Sequence, residues 1–317
     1  MRKALCVGID YYKNVADLYG CVADAYSVKS ALDRNSDGTV NFSVNIMAAT
    51  GEDTSISRKE LKTSVEKLFA DEPEIALFYY AGHGYIESTG GYLITSECTE
   101  GDDGFPLSEL LTIASASKAM NKVIILDSCH SGAMGKISQF QEFSLISEGM
   151  TILTACGEKQ YASEENGHGV FTSLLVDALY GGAMNLVGEV TPGSVYAHID
   201  QALGPWEQRP LFKTNVRNFV SLRKNTPPIS LLELHQLTEL FPDFGDEFQL
   251  DPTFEPDSPE PIKDNNEKFR VLQNYNRVNL LVPIGADHMY YAAMESKSCR
   301  LTPLGIHYWK LVKNGRI

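Results

Sequence analysis

Two apolar runs of strand length, Ile75 to Tyr80 and Val123 to Leu126, each lead straight into a short string of small and reactive residues. The first run ends in Tyr79-Tyr80-Ala81-Gly82-His83-Gly84. The second is followed by Asp127-Ser128-Cys129-His130-Ser131-Gly132. Continuous apolar runs of this length suit strands covered on both faces, as in a parallel sheet. In open α/β sheets the working residues collect beyond the carboxyl ends of the strands. A histidine past one strand and a cysteine past another are the two halves of a thiol nucleophile and its proton carrier.

The rest of the chain supports that architecture. Ala4 to Ile9, Val40 to Ala48, Lys122 to Leu126 and Thr151 to Ala155 read as further strands. Helices are expected over Gly20 to Leu32, Leu107 to Ser117, Phe171 to Leu179 (closed by Gly181-Gly182) and from Thr191-Pro192 to about Leu203. Ser57 and Glu60 form a capping box ahead of Leu61, Val65 and Leu68. Gly84 to Thr95 reads as a hairpin turned at Thr89-Gly90-Gly91. Strands alternating with helices predict an α/β fold, a mostly parallel sheet flanked by helices on both faces.

The separation of 46 residues between His83 and Cys129 fits one strand–helix–strand crossover. Neighbouring parallel strands would then bring both side chains to one edge. Cys129 would attack and His83 would move protons. The N–H groups of Gly84 and Cys129 would hold the oxyanion, glycine allowing a substrate backbone to come close. His130 adjoins the nucleophile, but neighbouring side chains diverge, so a structural role suits it better. His168 lies in a polar stretch and is the weaker base.

The strings Tyr-Ala-Gly-His-Gly and Asp-Ser-Cys-His-Ser-Gly resemble those of the caspase–metacaspase family of cysteine peptidases. The opening Ala4-Leu5-Cys6-Val7-Gly8-Ile9-Asp10-Tyr11-Tyr12 and Gly20-Cys21-Val22-Ala23-Asp24-Ala25 extend the likeness. It is nearest to metacaspases and prokaryotic caspase homologues and covers residues 1 to about 220. The Gln-Ala-Cys-Arg/Gln-Gly context of animal caspases is absent around Cys129. The resemblance implies a caspase-like fold and a Cys129–His83 dyad. It also implies two aspartates in the primary substrate pocket, which match Asp24 and Asp127 here. A partly dehydrated carboxylate pair favours a guanidinium or ammonium and repels an acidic group. Cleavage after Arg or Lys is therefore expected, with Arg favoured for its forked geometry.

The segments from Thr151 to Cys156, Tyr161 to Glu164 and His168 to Thr172 are similar to the family's small-subunit half. They would supply a groove wall ending near Gln208-Arg209-Pro210. Self-cleavage would fall after Lys136, the one basic residue between Ala133 and Glu148. Some metacaspases bind calcium, but Asp102-Asp103 with Glu97 and Glu100 lacks EF-hand spacing and reads as a solvated acidic loop. No cofactor or metal is expected. The scattered cysteines suggest reduced, cytoplasmic usage rather than a disulfide framework.

Three regions are expected: a peptidase domain at 1–222, an acidic, proline-rich linker at 223–265, and a small α+β domain at 266–317. Leu301 to Trp309 reads as a capped helix start or as part of a winged-helix-like unit. The formal net charge of −14 argues against a surface built to grip nucleic acid or anionic lipid. Residues 266–317 carry eight Lys/Arg against three Asp/Glu. That modest excess favours a protein regulator or sensor as the partner of the last domain over nucleic acid, and no run suggests a membrane span. The expectation is a regulated cysteine endopeptidase whose substrates present Arg or Lys before the scissile bond, serving in cell death or defence. The alternative is a latent peptidase fold that binds a protein or nucleic acid through its last domain.

Overall fold

The computed structural model describes residues 1–87, 90–128, 146–155, 169–204 and 210–317. They form two compact units, one of residues 1–184 with 189–226, the other of 185–188 with 227–317.

The first unit is built on a six-stranded sheet. In chain order its strands are β1 (Arg2–Ile9), β2 (Ser43–Ala49), β3 (Ile75–Ala81), β7 (Asn121–Asp127), β8 (Met150–Thr154) and β10 (Leu211–Asn215). Across the sheet they run β10-β8-β7-β3-β1-β2. All neighbours are parallel except β10, which pairs antiparallel with β8 along the edge. Helices α1 (Cys21–Asp33) and α2 (Arg58–Phe69) make the first two crossovers, and α3 (Leu107–Ala116) precedes β7. A hairpin of β4 (Gly84–Glu87) and β5 (Gly90–Leu93), with β6 (Phe105–Pro106), follows β3. Gly90 and Gly91 therefore belong to a strand rather than to the turn expected there, and Thr89 lies outside the described residues. After β8 come α4 (Val170–Asp177), then β9 (Glu189–Val190), which pairs with β11 (Arg223–Lys224), and α5 (Pro192–Ala202).

Period-two alternation divides the central strands between two cores. Leu5, Val7, Phe78, Tyr80, Ile124 and Leu126 pack on one face with Leu61, Val65 and Leu110 from α2 and α3. Cys6, Leu77, Tyr79, Val123 and Ile125 pack on the other with Val28, Leu175 and Ile199 from α1, α4 and α5. Each consecutive pair along β3 thus sends one side chain to each layer. The capping box at α2 is formed as the sequence predicts: the Ser57 hydroxyl accepts from the Glu60 N–H at 3.2 Å, and the Glu60 carboxylate accepts from the Ser57 N–H at 2.9 Å. Gly8 on β1 sits so close to α1 that a Cβ there would lie 2.4 Å from the Cys21 carbonyl oxygen. Glycine at this position lets the first turn of α1, which carries Asp24, pack directly on the sheet.

The second unit contains α6 (Leu231–His235), α7 (Leu237–Leu240), β12 (Glu247–Gln249), α8 (Lys263–Arg277), β13 (Leu281–Ile284), α9 (Met289–Met294), β14 (Ser298–Leu301) and α10 (Pro303–Lys313). Its antiparallel sheet runs β12-β14-β13, an α+β arrangement. The capped start foreseen at Thr302 is formed, its hydroxyl accepting from the Gly305 N–H at 3.0 Å. Tyr308 and Trp309 are buried, and the Trp309 indole donates to the Phe241 carbonyl at 2.7 Å. The acidic, proline-rich stretch does not run as an extended linker. Leu250 and Phe254 are buried in the core of this unit, and Asp251 accepts from the Thr253 N–H at 2.8 Å to cap a short 3-10 turn. A few well-spaced apolar anchors hold a segment whose average composition reads as polar.

Candidate functional site

His83 stands two residues past the paired end of β3. Its main chain is held from both sides by tyrosine hydroxyls. The His83 N–H donates to the Tyr12 hydroxyl oxygen at 2.8 Å, and the Tyr80 hydroxyl reaches the His83 carbonyl at 2.8 Å and the Ile94 carbonyl at 2.7 Å. The two hydroxyls also bond to each other. A Cβ on Gly82 would lie 2.7 Å from both of these oxygens, so that position has no room for a side chain. The Tyr12 ring packs on the imidazole, centroids 4.7 Å apart.

The imidazole itself is oriented by the chain. His83 Nε2 lies 2.8 Å from the Ala16 carbonyl oxygen. A carbonyl can only accept, so Nε2 carries the proton of this bond, and in the neutral ring Nδ1 keeps its lone pair. That is the tautomer a general base requires, with the acceptor nitrogen left for a donor such as a thiol.

Cys129, the expected nucleophile, lies outside the described residues, as do His130, Lys136, His168, Gln208 and Arg209. The frame leading to it is well defined. Ala81 on β3 pairs with Asp127 on β7, and the Gly82 N–H donates to the Asp127 carbonyl at 3.3 Å. His83 and Cys129 are therefore each two residues beyond the same rung of the sheet. Gly84 is buried at the start of β4, opposite Leu93. The Ile94 N–H donates to the His83 carbonyl at 3.0 Å, making 83 and 94 the bonded rung. By antiparallel alternation, Gly84 and Leu93 form the non-bonded one, which turns the Gly84 N–H away from β5.

The two aspartates are brought together on the other face of the sheet. Asp24 is 3% exposed in the first turn of α1. Its Oδ2 accepts from the Gly169 N–H at 3.1 Å. Asp127, half-buried at the end of β7, accepts from the Thr172 hydroxyl at 2.5 Å through its own Oδ2. Thr172 in turn bonds the hydroxyl of the fully buried Tyr79 at 2.6 Å. A single point in space, where a Cβ of Gly169 would stand, is 3.2 Å from Asp127 Oδ2 and 3.3 Å from Asp24 Oδ2. The two carboxylates therefore converge on one place beside the start of α4. Burial pushes the Asp127 carboxyl up to about 6, the Thr172 hydroxyl opposes this, and the negative charge of Asp24 adds to the rise. The Tyr79 hydroxyl is pushed well up by burial and then by both aspartates.

Several residues here escape a reading from sequence. Tyr12, Tyr80, Gly169 and Thr172 lie inside strings recognisable as motifs, but nothing in the strings tells a tether from a core residue. The Ala16 contact is made by a main-chain carbonyl and leaves no side-chain signature. The acidic loop is an ordinary turn: Asp103 Oδ2 accepts from the Thr99 N–H and hydroxyl, both at 2.7 Å. Among the described residues no group of three His, Cys, Asp or Glu side chains is arranged to hold a metal. Burial pushes the thiols of Cys6 and Cys299 up to about 12 and that of Cys98 to about 11, far from a working thiolate. No described helix is long and apolar enough to cross a membrane.

A sequence model described as the caspase domain matches residues 1–225. Among solved structures the fold is similar to that of a protein from Geobacter sulfurreducens, with 16% identity, a TM-score of 0.51 and coverage of 72% of this chain and 98% of that one. It is also similar to caspase-1 from Spodoptera frugiperda, with 13% identity, a TM-score of 0.52 and coverage of 71% and 91%. At these identities the likeness is one of fold. No curated protein matches the sequence.

Proposed function

Since the chain belongs to the caspase-domain family, we propose that it is a cysteine endopeptidase cutting protein substrates after Arg or Lys. His83 takes the proton of the Cys129 thiol through Nδ1, while its Nε2–H stays on the Ala16 carbonyl. The thiolate attacks the scissile carbonyl. The N–H groups of Gly84 and Cys129 receive the developing oxyanion. The imidazolium then gives its proton to the leaving amine, and water, deprotonated by the same imidazole, releases the acyl group.

The observation that supports the specificity is the convergence of Asp24 and Asp127 on one place beside the start of α4. The charged group acting on Asp127 is another carboxylate, and both are held by donors from the start of α4. A guanidinium or ammonium reaching this place would carry the charge opposite to both carboxylates. An acidic side chain would add a third negative charge. The second unit, with a core of its own, is assigned a regulatory or docking part toward a protein partner.

The test is turnover of fluorogenic peptides ending in Arg, Lys or Asp by the full chain. Cleavage after Arg and Lys, none after Asp, and loss of all turnover in Cys129→Ala are expected. Cleavage after Asp, or turnover that survives in Cys129→Ala, would refute the reading.

A further inference from the structure

We propose that Asp17 is a positioning residue, whose carboxylate fixes the loop that offers the Ala16 carbonyl to His83. The proposal rests on the reading of His83 as the proton carrier of Cys129 and extends it to a residue that acts on the imidazole only through its neighbours.

The bond between His83 Nε2 and the Ala16 carbonyl is exposed. Water competes for both partners, so the bond persists only where the carbonyl is already aimed. That carbonyl shares one planar peptide unit with the Asp17 N–H, and its direction follows the Asp17 backbone. The Asp17 side chain is what holds this backbone. Its Oδ1 accepts from the Tyr12 N–H at 2.8 Å, reaching back across the loop. Among the described residues, the hydrogen bonds of residues 15 to 17 are this one and the Ala16 contact itself.

The loop is anchored on either side of that span. The Lys13 N–H donates to the Ser96 carbonyl at 2.9 Å, and the Asn14 amide donates to the Cys98 carbonyl at 3.0 Å. The Leu18 N–H donates to the Asp10 carbonyl at 2.9 Å. Asp17 closes the stretch between these anchors, and it does so on Tyr12. The Tyr12 hydroxyl accepts from the His83 N–H, and its ring packs on the imidazole. Main chain and ring of His83 are thus both held from one loop, and the Asp17 carboxylate joins the two points of attachment. Hydrogen bonds to an ionised acceptor are about twice as strong as neutral ones, which suits a single tie. The groups that touch His83 stay neutral, while the exposed charge of Asp17 acts on the Tyr12 main chain.

The experiment measures two rates on the full chain: alkylation of Cys129 by iodoacetamide, read at that cysteine by peptide mapping, and steady-state cleavage of one Arg peptide. Alkylation consumes the thiolate, which an aimed imidazole favours, and it needs no substrate pocket. Asp17→Ala should slow alkylation several-fold and lower kcat about tenfold with KM little changed, a part of the roughly 10²–10⁴-fold carried by the imidazole itself. Asp17→Asn keeps an oxygen acceptor in the same place and should recover most of both rates. In a His83→Ala background, Asp17→Ala should cost nothing further, because the residue acts through that ring. Asp17→Leu, similar in shape and without an acceptor, replaces the alanine variant should that one unfold. Rates within about twofold of wild type in Asp17→Ala, an asparagine variant as slow as the alanine one, or an equal further loss in the absence of His83 would each overturn the proposal. Alkylation that His83→Ala leaves unchanged would overturn the pairing of Cys129 with His83 instead, a separate and recognisable result.

Discussion

Tyr79 and Tyr80 are neighbours on one strand, yet they serve opposite faces of the sheet and two different halves of the site. Tyr80 points into the layer with Tyr12 and ties down the main chain of His83. Tyr79 points into the other layer and, through Thr172, ties down the carboxylate of Asp127. The first network is neutral throughout and ends on peptide groups, so its satisfied bonds hold a group in place without electrostatic strain. The second ends on a charge that burial and a second carboxylate both disfavour. A group that must be aimed is held by neutral donors and acceptors. The group to which the proposed function gives the cation is held where burial and a second carboxylate disfavour its charge.

The sharpest break of this division would come from the terminal groups themselves. His83→Ala should lower kcat by about 10²–10⁴-fold, the usual worth of a general acid–base, with KM for an Arg peptide little changed. Asp127→Asn should do the reverse, raising KM with a smaller effect on kcat, because it removes one charge of the acidic pair and leaves the His83 tethers intact. Steady-state kinetics on one Arg peptide checks both. Matching losses in the same parameter would show that the two regions work as one.

The tyrosines test the same division with smaller effects. Tyr80→Phe removes a hydroxyl serving two buried carbonyls, Tyr79→Phe one serving Thr172. Each should cost about 0.5–1.5 kcal/mol of stability, the net worth of a hydrogen bond, since the His83 carbonyl keeps the Ile94 N–H and the Thr172 hydroxyl keeps Asp127. Thermal unfolding would show similar losses, but activity should separate them. The first variant should lower kcat several-fold and the second should raise KM several-fold. Stability losses with no such split would reduce both tyrosines to core residues.

The two regions also differed in how legible they were. The strand ends could be read from Ile75 to Ala81 and from Val123 to Asp127, because an apolar run followed by small residues is a local pattern. The crossover helices followed from caps and periodicity, such as Ser57 with Glu60. The convergence on Gly169 could not be read, because Asp24, Asp127 and Gly169 come from three distant segments and meet only when the sheet is assembled. Composition misled at Asp243 to Asp264 for a related reason: Leu250 and Phe254 decide the fate of that stretch, and an average over its prolines and acids hides them.

The finest test uses proton binding to the acidic pair. Asp127 is raised from an ordinary value of 3.8 to about 6. Folding therefore disfavours its ionised form: the penalty is absent below about pH 4, grows as pH rises toward 6, and is complete above it, at about 3 kcal/mol. A bound cation reverses the balance, because it favours the carboxylate and lowers the same pKa. Benzamidine, a guanidinium-like probe that needs no catalysis, should then bind more weakly as pH falls from about 7 to 5, approaching tenfold weaker per pH unit below 6. Because binding alone is read, catalysis at the rim does not enter unless the two regions are coupled. Asp127→Asn removes the titrating group, so its weaker affinity for benzamidine should be flat across the same window. A pH dependence that persists in Asp127→Asn would place the proton on Asp24 or on the rim, and the separation of an aiming network from a charge-bearing one would fail.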